Sequence, residues 1–243
     1  MSAGGGAFPS TRHSVVRAIG DADPDVRREA YGALVRSYWK PVYVYIRLRW
    51  NRDPADAQDL TQEFFARCLE KEYLARFDPS KARFRTFVRT CLDGFLGNER
   101  QSAARLKRGG GTLVESLDFA SADAELAAHV RSSDADPEAW LQREWVRALF
   151  AAAVDELQRH CASERRSLAF DLFTRYELNA DSSERQTYGA LAREVDTTIS
   201  NVTNQLAWAR RAFRSIVLEK LRSLCATDEE FRAEARDLLG VRP

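Results

Sequence analysis

A stretch in the second half of the chain, TYGALAREVDTTISNVTNQLAWARRAFR at residues 187–214, combines an apolar helical pattern with side chains that could bind DNA. Short amides and hydroxyls near the start of a helix can reach base edges in the major groove, and asparagine or glutamine can pair with adenine through two hydrogen bonds. Arginines further along the same helix can contact phosphates. The positions with this chemistry are Thr198, Ser200, Asn201, Thr203, Asn204, Gln205, Arg210 and Arg211.

The pattern of this stretch predicts a helix-turn-helix. Leu191 and Val195 share one helix face, and apolar residues from Val202 onward recur in steps of four and three. Between them Asp196-Thr197-Thr198 breaks the pattern, and Thr198 can cap the second helix. Such turns usually place glycine where Asp196 stands, because the backbone there needs a positive φ, which aspartate tolerates better than most residues. A plain helical hairpin packed in a core is the alternative.

A second group with chemistry is a row of carboxylates in RDPADAQDLTQEFFARCLEKEYL, which starts at Arg52. Helical geometry places Asp56, Asp59, Glu63 and Glu70 within about 60° of one another around the axis, and we call this row the carboxylate stripe. It could be a docking surface for a basic protein, a solvated face or a metal site. No histidine joins it, which argues against a metal site, and docking is favoured over a solvated face. Thr61 lies beside the stripe in the sequence, where its phosphorylation would add negative charge.

Charge is strongly segregated although the formal net charge is only +1. Residues 81–108 hold eight basic and two acidic residues, and residues 112–145 hold eight acidic and two basic ones. The first block favours a polyanion-binding surface and the second a connector that stays extended or mimics a polyanion, with simple solvated faces as the alternative.

Enzyme and membrane classes find little support in the sequence. The chain has three histidines and four scattered cysteines without a CxxC pair, which predicts reduced thiols and no metal or other cofactor. The glycines of KRGGG lack the order of a phosphate-binding loop. For these reasons we expect no catalytic residues. No run of 18 apolar residues and no signal-peptide pattern occur, so we also expect no membrane insertion and a cytoplasmic location.

The helical periodicity along the chain predicts an all-α fold of two domains. Asp53-Pro54 and Asp136-Pro137 are cap-plus-proline helix starts, and a long basic helix runs from Arg85 to about Arg108. We predict a first domain over residues 10–108, an acidic flexible linker over 109–137, a second domain with the helix-turn-helix over 138–225 and an amphipathic tail over 226–243.

Three segments in this order resemble bacterial RNA polymerase sigma factors of the two-domain extracytoplasmic-function group. DAQDLTQEFF resembles the DAEDLTQE signature of that group, and KARFRTFVRTCLDGFLGNERQSAARLKRGGG is similar to its helix that melts and reads the −10 element. YGALAREVDTTISNVTNQLAWARR is similar to the group's −35-reading helix-turn-helix. The resemblance implies a sigma-type initiation factor that binds core RNA polymerase and promoter DNA, with region 2-like and region 4-like domains. An anti-sigma factor is the group's usual regulator.

The resemblance also assigns roles to individual residues. Polymerase docking would fall to Asp56, Gln58, Asp59, Gln62 and Glu63. Binding of the −10 element would fall to Asp78, Ser80, Lys81, Arg83, Arg85, Arg89, Asn98, Arg100, Arg105, Lys107 and Arg108. The eight polar positions of the predicted helix-turn-helix, Thr198 to Arg211, would read the −35 element.

Several positions depart from the group's pattern. Gln58 replaces a usual acidic residue, and Gly94 replaces a usual asparagine in the −10 helix. Ser200, Asn201, Thr203, Asn204 and Gln205 stand where the group usually carries lysine or arginine, and their lack of charge predicts a different or weaker −35 preference. Phe84 and Phe87 could be strand-opening wedges or core aromatics. The rival class is a self-standing DNA-binding regulator that never contacts polymerase, which would dimerise on a palindromic site and leave the carboxylate stripe unexplained.

Overall fold

The computed structural model describes residues 14–71, 73–102, 117–129, 136–178 and 186–242. Every regular element in these ranges is helical, which confirms the predicted all-α class. The α-helices are α1 (Val15–Ala18), α2 (Pro24–Arg49), α3 (Pro54–Glu70), α4 (Phe84–Ser102), α5 (Phe119–His129), α6 (Pro137–Ser163), α7 (Ser167–Phe173), α8 (Tyr188–Glu194), α9 (Ile199–Ser223) and α10 (Asp228–Leu239). A 3-10 turn at Leu74–Arg76 and a π-helical turn at Thr174–Leu178 complete the regular structure of these ranges.

The chain divides into two compact units. The first unit contains the described residues up to Ala148 together with those from Leu221 onward, and the second spans residues 149–220. The first unit therefore includes α10, and its boundaries differ from the predicted domains at 10–108 and 138–225 because sequence-distant segments share one core.

Aromatic side chains fill the core of the first unit. Tyr43, Phe64, Phe65 and Phe84 are among its largest fully buried side chains, and the Tyr31 hydroxyl donates a hydrogen bond to the Phe65 carbonyl. The predicted helix starts are confirmed: Asp53 caps α3 by accepting a hydrogen bond from the Asp56 amide at 2.8 Å, with Pro54 in the first turn. These local signals fix where α3 begins and hence which of its faces is buried.

The structure differs from the predicted flexible linker over residues 109–137. Residues 119–129 form α5, which packs on α2 through contacts of Phe119 with Trp39 and Tyr43, both at 5.1 Å between ring centroids. The Arg47 guanidinium also pairs with Asp123 at 2.8 Å. Composition alone pointed to a linker, but Phe119, Ala122 and Leu126 form a short apolar stripe at helical spacing that the first unit buries.

The predicted tail over residues 226–243 includes a docked helix. Thr227 caps α10 by accepting from the Glu230 amide at 3.1 Å, and Gly240 ends it with a φ of +65°. Phe231 and Ala235 are buried in the first unit. The sequence predicted an amphipathic segment here, whereas it did not predict the surface that the segment covers.

The second unit has a small core shared by α7, α8 and α9. It comprises Leu172, Leu191, Ala192, Val202 and Leu206. Asp196, between α8 and α9, has a φ of +48°, and the following Thr197 amide donates back to the Ala192 carbonyl at 2.8 Å. This left-handed residue ends α8 and allows α9 to start in a new direction.

Replacing Asp196 with glycine is expected to stabilise the second unit by about 0.5–1 kcal/mol. Glycine adopts positive φ without the steric cost that a Cβ incurs there. The Asp196→Ala variant is the matched control, and it should lose about 1 kcal/mol because alanine keeps the Cβ and has no polar side chain for local hydrogen bonds. Urea unfolding followed by circular dichroism measures both, and a glycine variant no more stable than wild type would contradict the expectation.

Candidate protein and nucleic-acid interfaces

The side of α3 turned away from the core carries the predicted docking residues. Asp56, Gln58, Asp59 and Gln62 are exposed and Glu63 is half-buried, while Ala57, Thr61, Phe64, Phe65 and Cys68 lie in the core. The division follows from helical periodicity, because the apolar face of α3 has to meet α2. The structure thus brings all five predicted docking residues to one accessible side of one helix.

Neighbouring cations neutralise part of the carboxylate stripe. Arg67 pairs with Glu63 at 2.5 Å and with Glu99 of α4 at 2.7 Å, whereas Arg52 reaches Asp56 only at 3.9 Å. Asp59 has no ion pair among the residues that the structure describes. Within the described residues, the carboxylates of the stripe that stay exposed and either unpaired or only weakly paired are therefore Asp56, Asp59 and Glu70.

Thr61 is not part of this surface. Its side chain is 0 % exposed, and its hydroxyl donates to the Ala57 carbonyl at 2.7 Å within the helix. A kinase cannot reach a hydroxyl in that position while α3 is packed, so the structure contradicts the hypothesis of a phosphorylation site at Thr61.

The loop before α4, residues 78–83, is held by its own side chains. The Asp78 carboxylate accepts from the Ser80 hydroxyl at 2.7 Å and from the Ser80 amide at 3.0 Å, and Lys81 lies 3.4 Å away. The hydrogen bonds from the Ser80 hydroxyl and amide lower the pKa of the exposed Asp78 carboxyl. The Lys81 side chain is 81 % exposed on this turn. The backbone of the turn is already held in place, so it does not have to become ordered before Lys81 can meet a ligand.

Three of the arginines predicted to contact the −10 DNA have carboxylate partners in the structure. Arg83 lies 2.5 Å from Asp237 and 3.4 Å from Glu234, both in α10, and Arg85 lies 3.3 Å from Glu234. Arg89 pairs with Glu138 of α6 at 2.6 Å. The sequence predicted DNA contacts for these arginines, and the structure shows that carboxylates of the first unit already pair with them.

The remaining −10 positions divide between exposed and undescribed parts of the chain. Asn98 is exposed on α4, and Arg100 belongs to the same helix. Arg105, Lys107 and Arg108 lie outside the described residues.

In the second unit, α9 exposes most of the predicted −35 residues. Thr198, Ser200, Thr203, Asn204, Arg210 and Arg211 are exposed, and Asn201 and Gln205 are half-buried. The Thr198 hydroxyl accepts from the Asn201 amide at 3.1 Å and so caps α9, as predicted. The Asn201 side chain donates to the Thr197 hydroxyl at 2.9 Å and accepts from Gln205 at 3.4 Å. These contacts hold the two amides along one side of the helix.

Arg210 differs from its predicted role as a free phosphate contact. It donates to Glu177 at 2.7 Å and to the Tyr188 hydroxyl at 3.2 Å. Arg211 is exposed, and within the described ranges it has no ion pair. Of the two, Arg211 is better placed to meet a phosphate without first breaking an existing contact.

The sequence did not predict the carboxylates that pair with the basic residues before and within α4 or accept from the first amide of that helix. They are Glu138, Glu230, Glu234 and Asp237. A signal was present, because positions 230, 234 and 237 recur in steps of four and three and so share a helix face beside the recognised apolar one.

The described parts of the chain contain no metal-binding cluster, no exposed thiol and no membrane-spanning helix. No cluster of three or more histidine, cysteine, aspartate or glutamate side chains there could hold a metal ion. Cys68, Cys161 and Cys225 are buried, and burial also raises the pKa of the half-buried Cys91 thiol. Within those same ranges, every helix is too short or too polar to span a bilayer.

Comparison with known protein families gives one match. Residues 34–105 match the family model described as sigma-70 region 2. The matched segment runs from within α2 through α3 and α4, so it contains the carboxylate stripe, the Asp78 turn and the three paired arginines. Comparison with curated proteins and with solved structures gives no match.

Proposed function

Because the sigma-70 region 2 match supports a sigma factor of the sigma-70 family with a role in transcription initiation, we propose that this chain is a sigma factor of the two-domain extracytoplasmic-function type. It binds core RNA polymerase, directs it to specific promoters and has no catalytic residues of its own. Its place of action is the cytoplasm, and an anti-sigma factor or another regulator controls it.

The observation that carries this proposal is the carboxylate stripe within the matched segment. Asp56 and Asp59 sit in the first two turns of α3, exposed and only weakly neutralised. An exposed negative surface on a rigid helix favours a basic protein partner, since complementary charge speeds association and sets specificity. Gln58, where related proteins carry an acidic residue, makes the contact weaker than a fully acidic signature would.

In this proposal the Asp78 turn and α4 contact the −10 element. The turn is fixed before DNA arrives, so little conformational entropy is lost on binding. Capture of an unstacked base needs such a preformed edge, because unstacking costs a few kcal/mol that the contacts must return. Arg83, Arg85 and Arg89 would then exchange their carboxylate partners for phosphates.

The second unit would read the −35 element through α9. Asn201 and Gln205 present amides on one side of the helix, and such groups can recognise adenine through two hydrogen bonds. The five polar positions from Ser200 to Gln205 carry no charge, and Arg166 already donates to the Gln205 amide at 3.4 Å, so the affinity of this unit alone should be modest. Two units that each bind DNA weakly can still select a promoter when they are on one chain, because binding of the first unit raises the effective concentration of the second unit near its own element.

The proposal is tested by capture of core RNA polymerase from purified components at moderate salt. The wild-type protein should bind, and the Asp56→Arg/Asp59→Arg variant should lose at least about tenfold in affinity, because two favourable charge contacts become repulsive. Both positions are exposed, so the variant should fold normally.

The matched control is Glu29→Arg, which reverses an exposed carboxylate on α2. It should bind polymerase as wild type does. If wild type and the double variant bind equally, or neither binds, polymerase docking through α3 is refuted. The helix-turn-helix would then belong to a self-standing DNA-binding regulator.

A further inference from the structure

Helix α10 places a row of carboxylates on the basic start of α4. Glu230, Glu234 and Asp237 lie on one face of α10, and within the first unit they meet Arg83, Arg85 and the first amide of α4. This set of contacts, which we call the α10 clamp, covers the residues that the proposed function assigns to −10 DNA.

Each carboxylate in the clamp takes a position that suits a phosphate oxygen. Glu230 accepts from the Phe84 amide at 2.6 Å, at the N-terminus of α4, where the helix dipole favours negative charge. Glu234 lies within 3.4 Å of both arginines, and Asp237 lies 2.5 Å from Arg83. Arginine groups and helix amides are also the usual donors to nucleic-acid phosphates.

The clamp differs from an ordinary surface ion pair in its burial. The Glu234 side chain is 4 % exposed and Arg85 is 20 % exposed, and Glu230 also accepts from the Ala226 amide at 2.8 Å. Arg85 therefore cannot reach an external phosphate while α10 stays docked. Contact between Arg85 and DNA therefore requires α10 to move.

The contacts of α10 also allow such movement. The helix has 12 residues, and its buried apolar side chains are Phe231 and Ala235. Asp237 is half exposed, so solvent screens its pair with Arg83. The pair of Glu234 with Arg85 gains little net stability, because burial removes both charges from water. A polyanion offering several phosphates can replace these partners.

We propose that α10 is an internal competitor for DNA, which holds the −10 surface of the free protein closed and is displaced when promoter DNA binds. The proposal rests on the proposed function, because it takes Arg83 and Arg85 as DNA contacts. It adds a regulatory role for the last 17 residues of the chain, 227–243. Their negative charge lowers unspecific DNA binding by the free protein.

The test compares the full-length wild type with the Glu234→Gln/Asp237→Asn variant in binding a fluorescent oligothymidylate, measured by anisotropy over a range of salt concentrations. The variant removes two charges with little change in shape. It should bind about tenfold more tightly at low salt, because two arginines become available to phosphates. The slope of log affinity against log salt should steepen by about 1.4, or about 0.7 for each released contact on single strands.

The matched control is Glu29→Gln/Glu229→Gln, which removes the same charge from exposed positions that have no ion pair within the described ranges, without touching Arg83 or Arg85. It should leave affinity and slope at nearly the wild-type values. If the clamp variant and the control behave alike, net charge alone acts and the proposal is overturned.

A second measurement keeps the test decisive if the clamp variant fails to fold. Hydrogen exchange in α10 of the wild type should increase when oligothymidylate is added, and unchanged exchange would overturn the proposal. These results are independent of polymerase capture. If the oligothymidylate tests contradict the clamp while polymerase still binds, the proposed function stands. If polymerase does not bind while the oligothymidylate tests agree with the clamp, the clamp stands.

Discussion

Replacing Phe84 with alanine is expected to lower the free energy of unfolding of the first unit by about 3–5 kcal/mol. The side chain is 0 % exposed, and its ring lies 5.0 Å from that of Phe77 and 6.0 Å from that of Tyr38. Removing the ring loses its burial and leaves a cavity that the surrounding aromatics cannot fill. Urea unfolding followed by circular dichroism measures the loss.

Phe87 provides the comparison for Phe84. It is half-buried, with its ring 5.3 Å from that of Phe77, so Phe87→Ala should cost only about 1–2 kcal/mol. The sequence did not decide whether these two residues are wedges that open DNA or aromatic residues of the core. A Phe84→Ala variant that kept wild-type stability but failed to melt promoter DNA would restore the wedge interpretation for that residue.

Replacing Thr61 with aspartate, the usual mimic of phosphorylation, is expected to destabilise the first unit by about 3 kcal/mol or more at neutral pH. The new carboxylate would lie in the core of the first unit, where an unpaired charge is costly. Burial would raise the pKa of this carboxyl above its unfolded value of about 3.9. The free energy of unfolding should therefore fall as the pH rises from the unfolded pKa to the raised pKa of the folded state. Urea unfolding at about pH 4 and pH 7 measures both effects.

The Thr61→Val variant isolates the role of the hydroxyl. Valine has nearly the same shape, and the hydroxyl donates only to the Ala57 carbonyl at 2.7 Å. The expected loss is about 1 kcal/mol, with polymerase binding unchanged. If Thr61→Asp were as stable as wild type and bound polymerase more tightly, residue 61 would have to face solvent in the active protein.

The burial of Thr61 limits how charge at the α3 surface can be regulated. Among the five docking positions, the uncharged ones are Gln58 and Gln62, and neither can be phosphorylated. Within the proposed function, control that leaves the α3 surface free for polymerase acts on a different surface. The α10 clamp on Arg83 and Arg85 supplies one that covers the DNA side of the first unit and leaves the α3 surface exposed.

Local sequence rules predicted the elements that depend on neighbours in the chain. Asp53-Pro54 determined the start of α3, and the break at residues 196–198 separated α8 from α9. Periodicity also determined which side of α3 is exposed. It would have placed Thr61 correctly, because residue 61 follows Ala57 by one turn and precedes Phe64 and Cys68 on the same face. The phosphorylation hypothesis considered the sequence neighbours of Thr61 and neglected this angular position.

The sequence by itself thus determined an all-α protein, the ends of its principal helices and the segments that carry its candidate interfaces. Only the tertiary structure decided that residues 119–129 form a helix packed on α2 and that α10 pairs with Arg83 and Arg85. The physical reason is the range of the interactions. Caps and helical periodicity act within about four residues, whereas Arg83 and Asp237 are 154 residues apart. With 37 basic and 36 acidic residues, many pairings are electrostatically similar, and the packing of Phe231 and Ala235 selects among them.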